Sequence, residues 1–350
     1  WLVWFMFIGV IPSIAGMGGL AGAVAEAGNT MFPLFSTEIW VAISCLITWL
    51  LLYFGSYKSL ERTLLIMVLF FSFMTLIIAI AMQSTDYQVN FDQISQGLSF
   101  AFPTEYLPLA LAVFGFTGIS YGEIMAYTYW CLEKGYADNT GNDIEETKHW
   151  IKTMQTDVWV TVFFITLGTL PFFFLGAGVL NNVPELQEAL ATGSFWDVDV
   201  ISSLQNMFSL VLGGWAKWLF IILAFFVLFS TLLSGTAAFT RTISDYLISM
   251  GLVKEQAHTR KKLIKLVAFV IPFLSGLFYF ILPNPITLLL IAGIWAAMGL
   301  PIVNIGALYL VNKLEPELQP RVSTKIILWA SLILQLSLAG LIVYDIGLNF

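Results

Sequence analysis

The chain has 350 residues, 59% of them hydrophobic and only 11% charged, with a mean hydropathy of +0.86. Soluble domains average roughly 45–50% apolar and about 25% charged residues, so the composition excludes an ordinary soluble domain and describes an all-α polytopic membrane protein. The net charge of −7 includes no basic tract wider than Arg260–Lys262, which excludes a nucleic-acid surface.

Nine apolar stretches are long enough to cross a bilayer, which takes about 20 residues as a helix. They cover residues 2–27, 38–54, 60–82, 107–131, 157–180, 214–247, 263–282, 285–312 and 324–347, and together form a single transmembrane domain over residues 1–350. The first residue is Trp1, already in apolar sequence with no charged lead before it. The expectation is a chain that begins partway through a longer protein, not at a signal peptide. The first stretch holds Pro12 and then Gly16, Gly18, Gly19 and Gly22, which points to a tight helix–helix contact. Glu26, near the outer end, is expected to snorkel to the interface, with a place in an outer vestibule as the alternative.

Residues 83–106 contain no Lys or Arg, and Phe91–Gly97 suits a short surface helix. The fourth stretch, 107–131, is unlike the others. Gly115, Gly118 and Gly122 fall inside it, and each costs roughly 1 kcal/mol against Ala in a helix interior. Glu123 follows directly, although an acid in mid-membrane costs at least ~2.5 kcal/mol. A glycine-loosened span carrying one acid is how transporters build a site near the bilayer midplane. Gly118, Ser120, Tyr121, Gly122 and Glu123 are therefore the first pathway candidates, and Glu123 is the candidate metal ligand.

Residues 132–156 read as the main cytoplasmic loop, with a helical lead-in around Asp143–Lys148, and 181–213 as an amphipathic cap over the extracellular mouth. The sixth stretch carries Ser230, Thr231, Ser234 and Thr236. Such hydroxyls usually bond to their own backbone or a neighbouring helix, and a pathway role for Ser230 is the sharper alternative. Arg241 and Asp245 are four apart, the spacing of a pair on one helix face. The eighth stretch is interrupted at Gly299, Pro301, Asn304 and Gly306, which adds Gly299 and Asn304 to the pathway candidates. The last stretch, with Gln335, is expected to be peripheral. Cys45 and Cys131 lie in or beside apolar spans as packing residues, and neither has a metal-ligand spacing.

The side that holds the loops after stretches two, four, six and eight carries every Lys and Arg of the chain except Lys217. Basic loops stay inside, so the residue 1 side is expected to be cytoplasmic and the C-terminus outside.

Four segments carry a resemblance. The run YWCLEKGYA at Tyr129–Ala137, YKSLER at Tyr57–Arg62, Phe229–Leu252 with SGT at Ser234–Thr236, and MGLP at Met298–Pro301 before NKLEPE resemble the Nramp divalent-metal transporters, closest to their divergent bacterial branch. The resemblance covers nearly the whole chain. It implies a LeuT-like fold of two inverted five-helix repeats in a bacterial inner membrane, with the nine stretches as family helices three to eleven and the first two helices outside this sequence. The family's Asp-Pro-Gly-Asn stretch of helix one is absent here. Its Met-Pro-His stretch of helix six aligns with Tyr121, Gly122 and Glu123, and its glutamines of helices eight and ten with Phe229 or Ser230 and with Gly299. The acids of its third helix give way to Met17, Gly18 and Leu20, so proton coupling by the usual route is not expected, and a coupling proton stays an open partner.

The resemblance implies a secondary transporter that moves a divalent metal ion by alternating access, with the ion as substrate, no cofactor and no enzymatic chemistry. Loss of the thioether favours Mg2+ or Mn2+ over Fe2+. One alternative is a carrier of a small organic solute, for which Tyr121, Tyr127, Tyr129 and Trp130 would suit. The other is a membrane subunit that transports nothing.

Overall fold

The computed structural model describes residues 2–55, 57–99, 107–117, 119–136, 143–179, 184, 187–188, 200–254 and 257–349. Among them every long element is an α-helix. These are α1 Leu2–Ile8, α2 Val10–Met31, α3 Thr37–Phe54, α4 Tyr57–Met82, α5 Phe91–Gly97, α6 Leu107–Phe116, α7 Tyr121–Glu133, α8 Ile144–Val179, α9 Val200–Leu212, α10 Ala216–Ser249, α11 Ala257–Ile281, α12 Pro285–Val311 and α13 Val322–Asn349. Eight helical segments of the described residues are long and apolar enough to cross a membrane, with α1 and α2 forming one of them. They match eight of the nine expected stretches. The ninth, 107–131, is the pair of short helices α6 and α7.

The centre of the bundle is α2, which packs against α3, α10, α11 and α12. Its glycines serve this packing. A Cβ at Gly19 would stand 2.6 Å from the Pro285 carbonyl oxygen, so only glycine lets α2 approach the start of α12 this closely. Small residues replace large ones along this face, and Ala21, Val24, Ala25 and Ala27 are fully enclosed. By contrast, α13 packs on α12 along one stripe and exposes Ile326, Ile327, Ile333 and Leu334, as a peripheral lipid-facing helix should.

Two expectations are corrected. The stretch read as a loop up to residue 156 is in part the first third of α8, a continuous helix of 36 residues from Ile144. Asp143 Oδ1 accepts the Glu145 backbone N–H at 3.0 Å, Glu145 and Glu146 favour the positive helix start, and Lys148 reaches back to Glu145 at 2.7 Å. Arg241 and Asp245 do not pair with each other. Arg241 bonds Glu133 on α7, and Asp245 bonds Arg260 on α11, because both partners offer two-pronged geometry that an i,i+4 pair does not.

The short helix at Phe91–Gly97 and the hydroxyl pattern of α10 are as expected. Helix α5 forms, capped by Asn90, whose backbone N–H donates to Gln93 Oε1 at 2.8 Å. The hydroxyls of α10 bond backward along their own helix: Ser230 to the Val227 carbonyl at 2.7 Å and Thr236 to the Leu232 carbonyl at 2.7 Å. Within the stretch 181–213, α9 is an amphipathic helix that buries Met207 and Phe208 against Phe220 and Ile78. The helix start read at Pro184 and Glu185 falls mostly outside the described residues.

Candidate functional site

The interruption between α6 and α7 begins after Phe116 and ends at Ser120. Gly118 lies outside the described residues. A break in mid-span leaves the last carbonyls of one half-helix and the first N–H groups of the next without helical partners. The sequence at the second end supplies its own solution. Ser120, Tyr121, Gly122 and Glu123 form a capping box: the Ser120 backbone N–H donates to Glu123 Oε2 at 2.7 Å, and the Ser120 hydroxyl donates to the same oxygen. The carboxylate therefore stands at the positive end of α7, where a negative charge is favoured. This explains how an otherwise apolar stretch accommodates the acid. The S-x-x-E spacing was legible in the sequence, and it is the signal that the sequence reading left unused.

Glu123 and Tyr121 face opposite ways. Glu123 is exposed, whereas Tyr121 is 7% exposed and turned into the bundle. The Tyr121 hydroxyl lies 3.2 Å from Ser13 Oγ and donates to the Gly9 carbonyl at 3.4 Å, both at the start of α2. Its ring lies over Gly299 of α12, where a Cβ would stand 2.6 Å from the ring. Tyr121 and Gly299, two of the expected pathway residues, are thus brought together as the packed wall behind the break. On the other side of the break, Gly115 of α6 meets the Gly293 carbonyl of α12, and a Cβ there would overlap that oxygen. Helix α12 is the common backing of both half-helices. Gly122 is half-buried and has only the Ser120 hydroxyl near the position of a Cβ, at 3.7 Å.

The other expected residues lie elsewhere. Asn304 is five residues beyond Gly299, about 140° round the helix at 100° per residue. It faces α13, where its Nδ2 donates to Gln335 Oε1 at 3.2 Å and to the Leu328 carbonyl at 3.4 Å. Ser230 is buried on α10 with its hydroxyl on its own helix. Glu26 is half-buried on α2 and lies thirteen residues past Ser13, which is about 20 Å along a helix axis. Ser13 was not a candidate in the sequence, because nothing local marks a single serine as the partner of a tyrosine 108 positions away.

In donor chemistry, the break offers the Glu123 carboxylate, the Ser120 hydroxyl and half-helix carbonyls. Such oxygen donors suit hard cations. Among the described residues no group of three or more His, Cys, Asp or Glu is placed to hold a metal by itself.

The family model described as "Natural resistance-associated macrophage protein-like" (Nramp) matches residues 1–345. Comparison with curated proteins finds no match.

Proposed function

The chain belongs to the Nramp family of membrane transporters, which move divalent metal ions and are not enzymes, and from that premise we propose that it is a secondary transporter carrying a hard divalent cation, Mg2+ or Mn2+ in preference to Fe2+, by alternating access. The observation that carries this reading is the placement of Glu123. Its carboxylate sits at the helix break, exposed, on the side opposite the packed wall of Tyr121 and Gly299. Ser120, Gly122, Glu123 and the carbonyl end of α6 form the ion's path, and Gly118 belongs to the same proposal. Tyr121 and Gly299 shape it from behind, while Ser230 and Asn304 hold neighbouring helices in place. The family's thioether is missing from this stretch, where Tyr121 stands and packs behind the break, and the carboxylate of Glu123 is an oxygen donor, which favours harder ions.

The aromatic residues that would serve an organic solute are engaged otherwise. Tyr121 bonds Ser13, Tyr127 donates to the Met154 carbonyl at 3.3 Å, Trp130 stacks on Arg241, and Tyr129 on Arg260. That weighs against the organic-solute reading. The charge asymmetry of the loops supports a cytoplasmic side for the basic loops, and the resemblance to bacterial members of the family supports a bacterial inner membrane.

The test is Mn2+ uptake by the purified protein in proteoliposomes, with competitors. Uptake is expected, with Mg2+ competing better than Fe2+ and amino acids not competing. Competition by an organic solute would favour a carrier of another class, and no uptake under any gradient would favour the non-transporting subunit.

A further inference from the structure

We propose that the last two turns of α7 form a charge-and-aromatic latch that holds the basic end of the protein closed, an inference that rests on the alternating-access reading above. Within the six residues Tyr129–Lys134, four side chains reach four different helices. Glu133 takes a two-pronged bond from Arg241 of α10, with Nε to Oε1 at 2.6 Å and Nη2 to Oε2 at 3.1 Å. The guanidinium lies 4.9 Å from the centre of the Trp130 ring, so one residue is gripped by charge and by a ring face from the same helix. Arg241 is fixed in turn by its own helix, through the Ala237 carbonyl at 2.8 Å and the Thr240 hydroxyl at 3.2 Å. One turn further along α10, Asp245 holds Arg260 of α11 by a second two-pronged bond at 2.8 and 3.2 Å, and that guanidinium stands 5.9 Å over Tyr129. Lys134 ties the same end to α8 through Asp157 at 2.9 Å and faces Glu61 of α4 at 3.9 Å.

Single exposed ion pairs contribute little. The two arginine pairs differ in being forked and set against ring faces, and the Arg241 side chain is only 13% exposed. Over its whole length α7 buries only Tyr121, Ala126 and Cys131, whereas α2 buries most of its length. A helix with a broken backbone at one end, a small apolar footprint and reversible polar ties at the other is the kind of element that opens as a unit. The residues concerned are separate from the break at Glu123, so the latch sets access to the ion path and not the ion's coordination.

Cys131 reports on the latch directly. It lies between Trp130 and Leu132, is 8% exposed and is in no disulfide, and the chain's other cysteine, Cys45, is 1% exposed on α3. The experiment alkylates the native protein with a water-soluble maleimide and reads each cysteine by peptide mass. In the wild type both react slowly. In Glu133→Gln, Cys131 is expected to react about tenfold faster, as loss of one charged hydrogen-bond pair implies, while Cys45 stays slow. Lys134→Gln is expected to act in the same direction, and Lys148→Gln, which cuts an exposed pair elsewhere, to change neither rate. An unchanged Cys131 rate in both latch variants overturns the proposal, and so does a parallel rise at Cys45, which would mark unfolding and not opening. The labelling needs no transport. A failure of uptake and a failure of the latch are therefore read separately.

Discussion

Glu123→Gln is expected to abolish divalent-metal uptake in proteoliposomes while leaving thermal stability close to that of the wild type. The two halves of this result come from two roles of one side chain. As the third residue of a capping box, Glu123 accepts the Ser120 backbone N–H at 2.7 Å. Glutamine serves this position as well as glutamate does, so the start of α7 keeps its cap. The negative charge at the break is lost, and with it the one carboxylate that the described residues place there. Even residues that merely orient a metal ligand cost about 10–100-fold when replaced, so the drop in uptake should be at least tenfold. Glu123→Ala removes cap and charge together, and should also lower stability by about 1 kcal/mol. Measuring initial uptake rates and melting temperatures of the three proteins separates the roles. Normal uptake in Glu123→Gln, with loss only in Glu123→Ala, would make the residue a cap and nothing more.

Gly115→Ala is expected to lower both stability and uptake, although alanine is the better helix former. The intrinsic gain is about 1 kcal/mol. Against it stands the Gly293 carbonyl oxygen of α12, which a Cβ at residue 115 would overlap, with the Ala297 backbone nitrogen 2.9 Å away. These are backbone atoms on a helix that also carries Gly299, so they cannot rotate aside as a side chain can. Overpacking of this kind costs about 1–3 kcal/mol or more, and the only relief is for α6 to move off α12, which displaces the carbonyl end of the break. Gly306→Ala is the matched control. It sits in α12 with nothing within 4 Å of its Cβ position, and should be neutral or slightly stabilising. Equal melting temperatures for Gly115→Ala and the wild type would mean that α6 is not held where the packing places it.

The long helices and the interruption between α6 and α7 were legible because both are local. Apolar length marks a span, and Gly115, Gly118 and Gly122 in a single stretch mark a break. The helical lead-in at Asp143–Lys148 was legible from its charge spacing, but its unbroken run into the rest of α8 was not, since a hydropathy window sees only the apolar part and the charges of Glu145, Glu146 and Lys148 end that signal. The partners of Arg241 and Asp245 were misread because spacing within one helix suggests each other, whereas Glu133 lies 108 positions earlier and only the fold brings it near. Asn304 looked like a pathway residue for the same reason. Its sequence neighbours Gly299 and Pro301 mark a break-prone span, and only helix geometry turns its amide toward Gln335 of α13. Glu123 lay between the two cases: its charge was conspicuous, while the Ser120 cap that makes the charge tolerable is a four-residue pattern.

The placement of the ion at the helix break is tested most directly by anomalous diffraction from crystals grown with Mn2+. A peak within about 2.5 Å of a Glu123 carboxylate oxygen, between the end of α6 and the start of α7, is the expected result. A peak bound elsewhere, with the Ser120–Glu123 cap intact and no metal beside it, would contradict it.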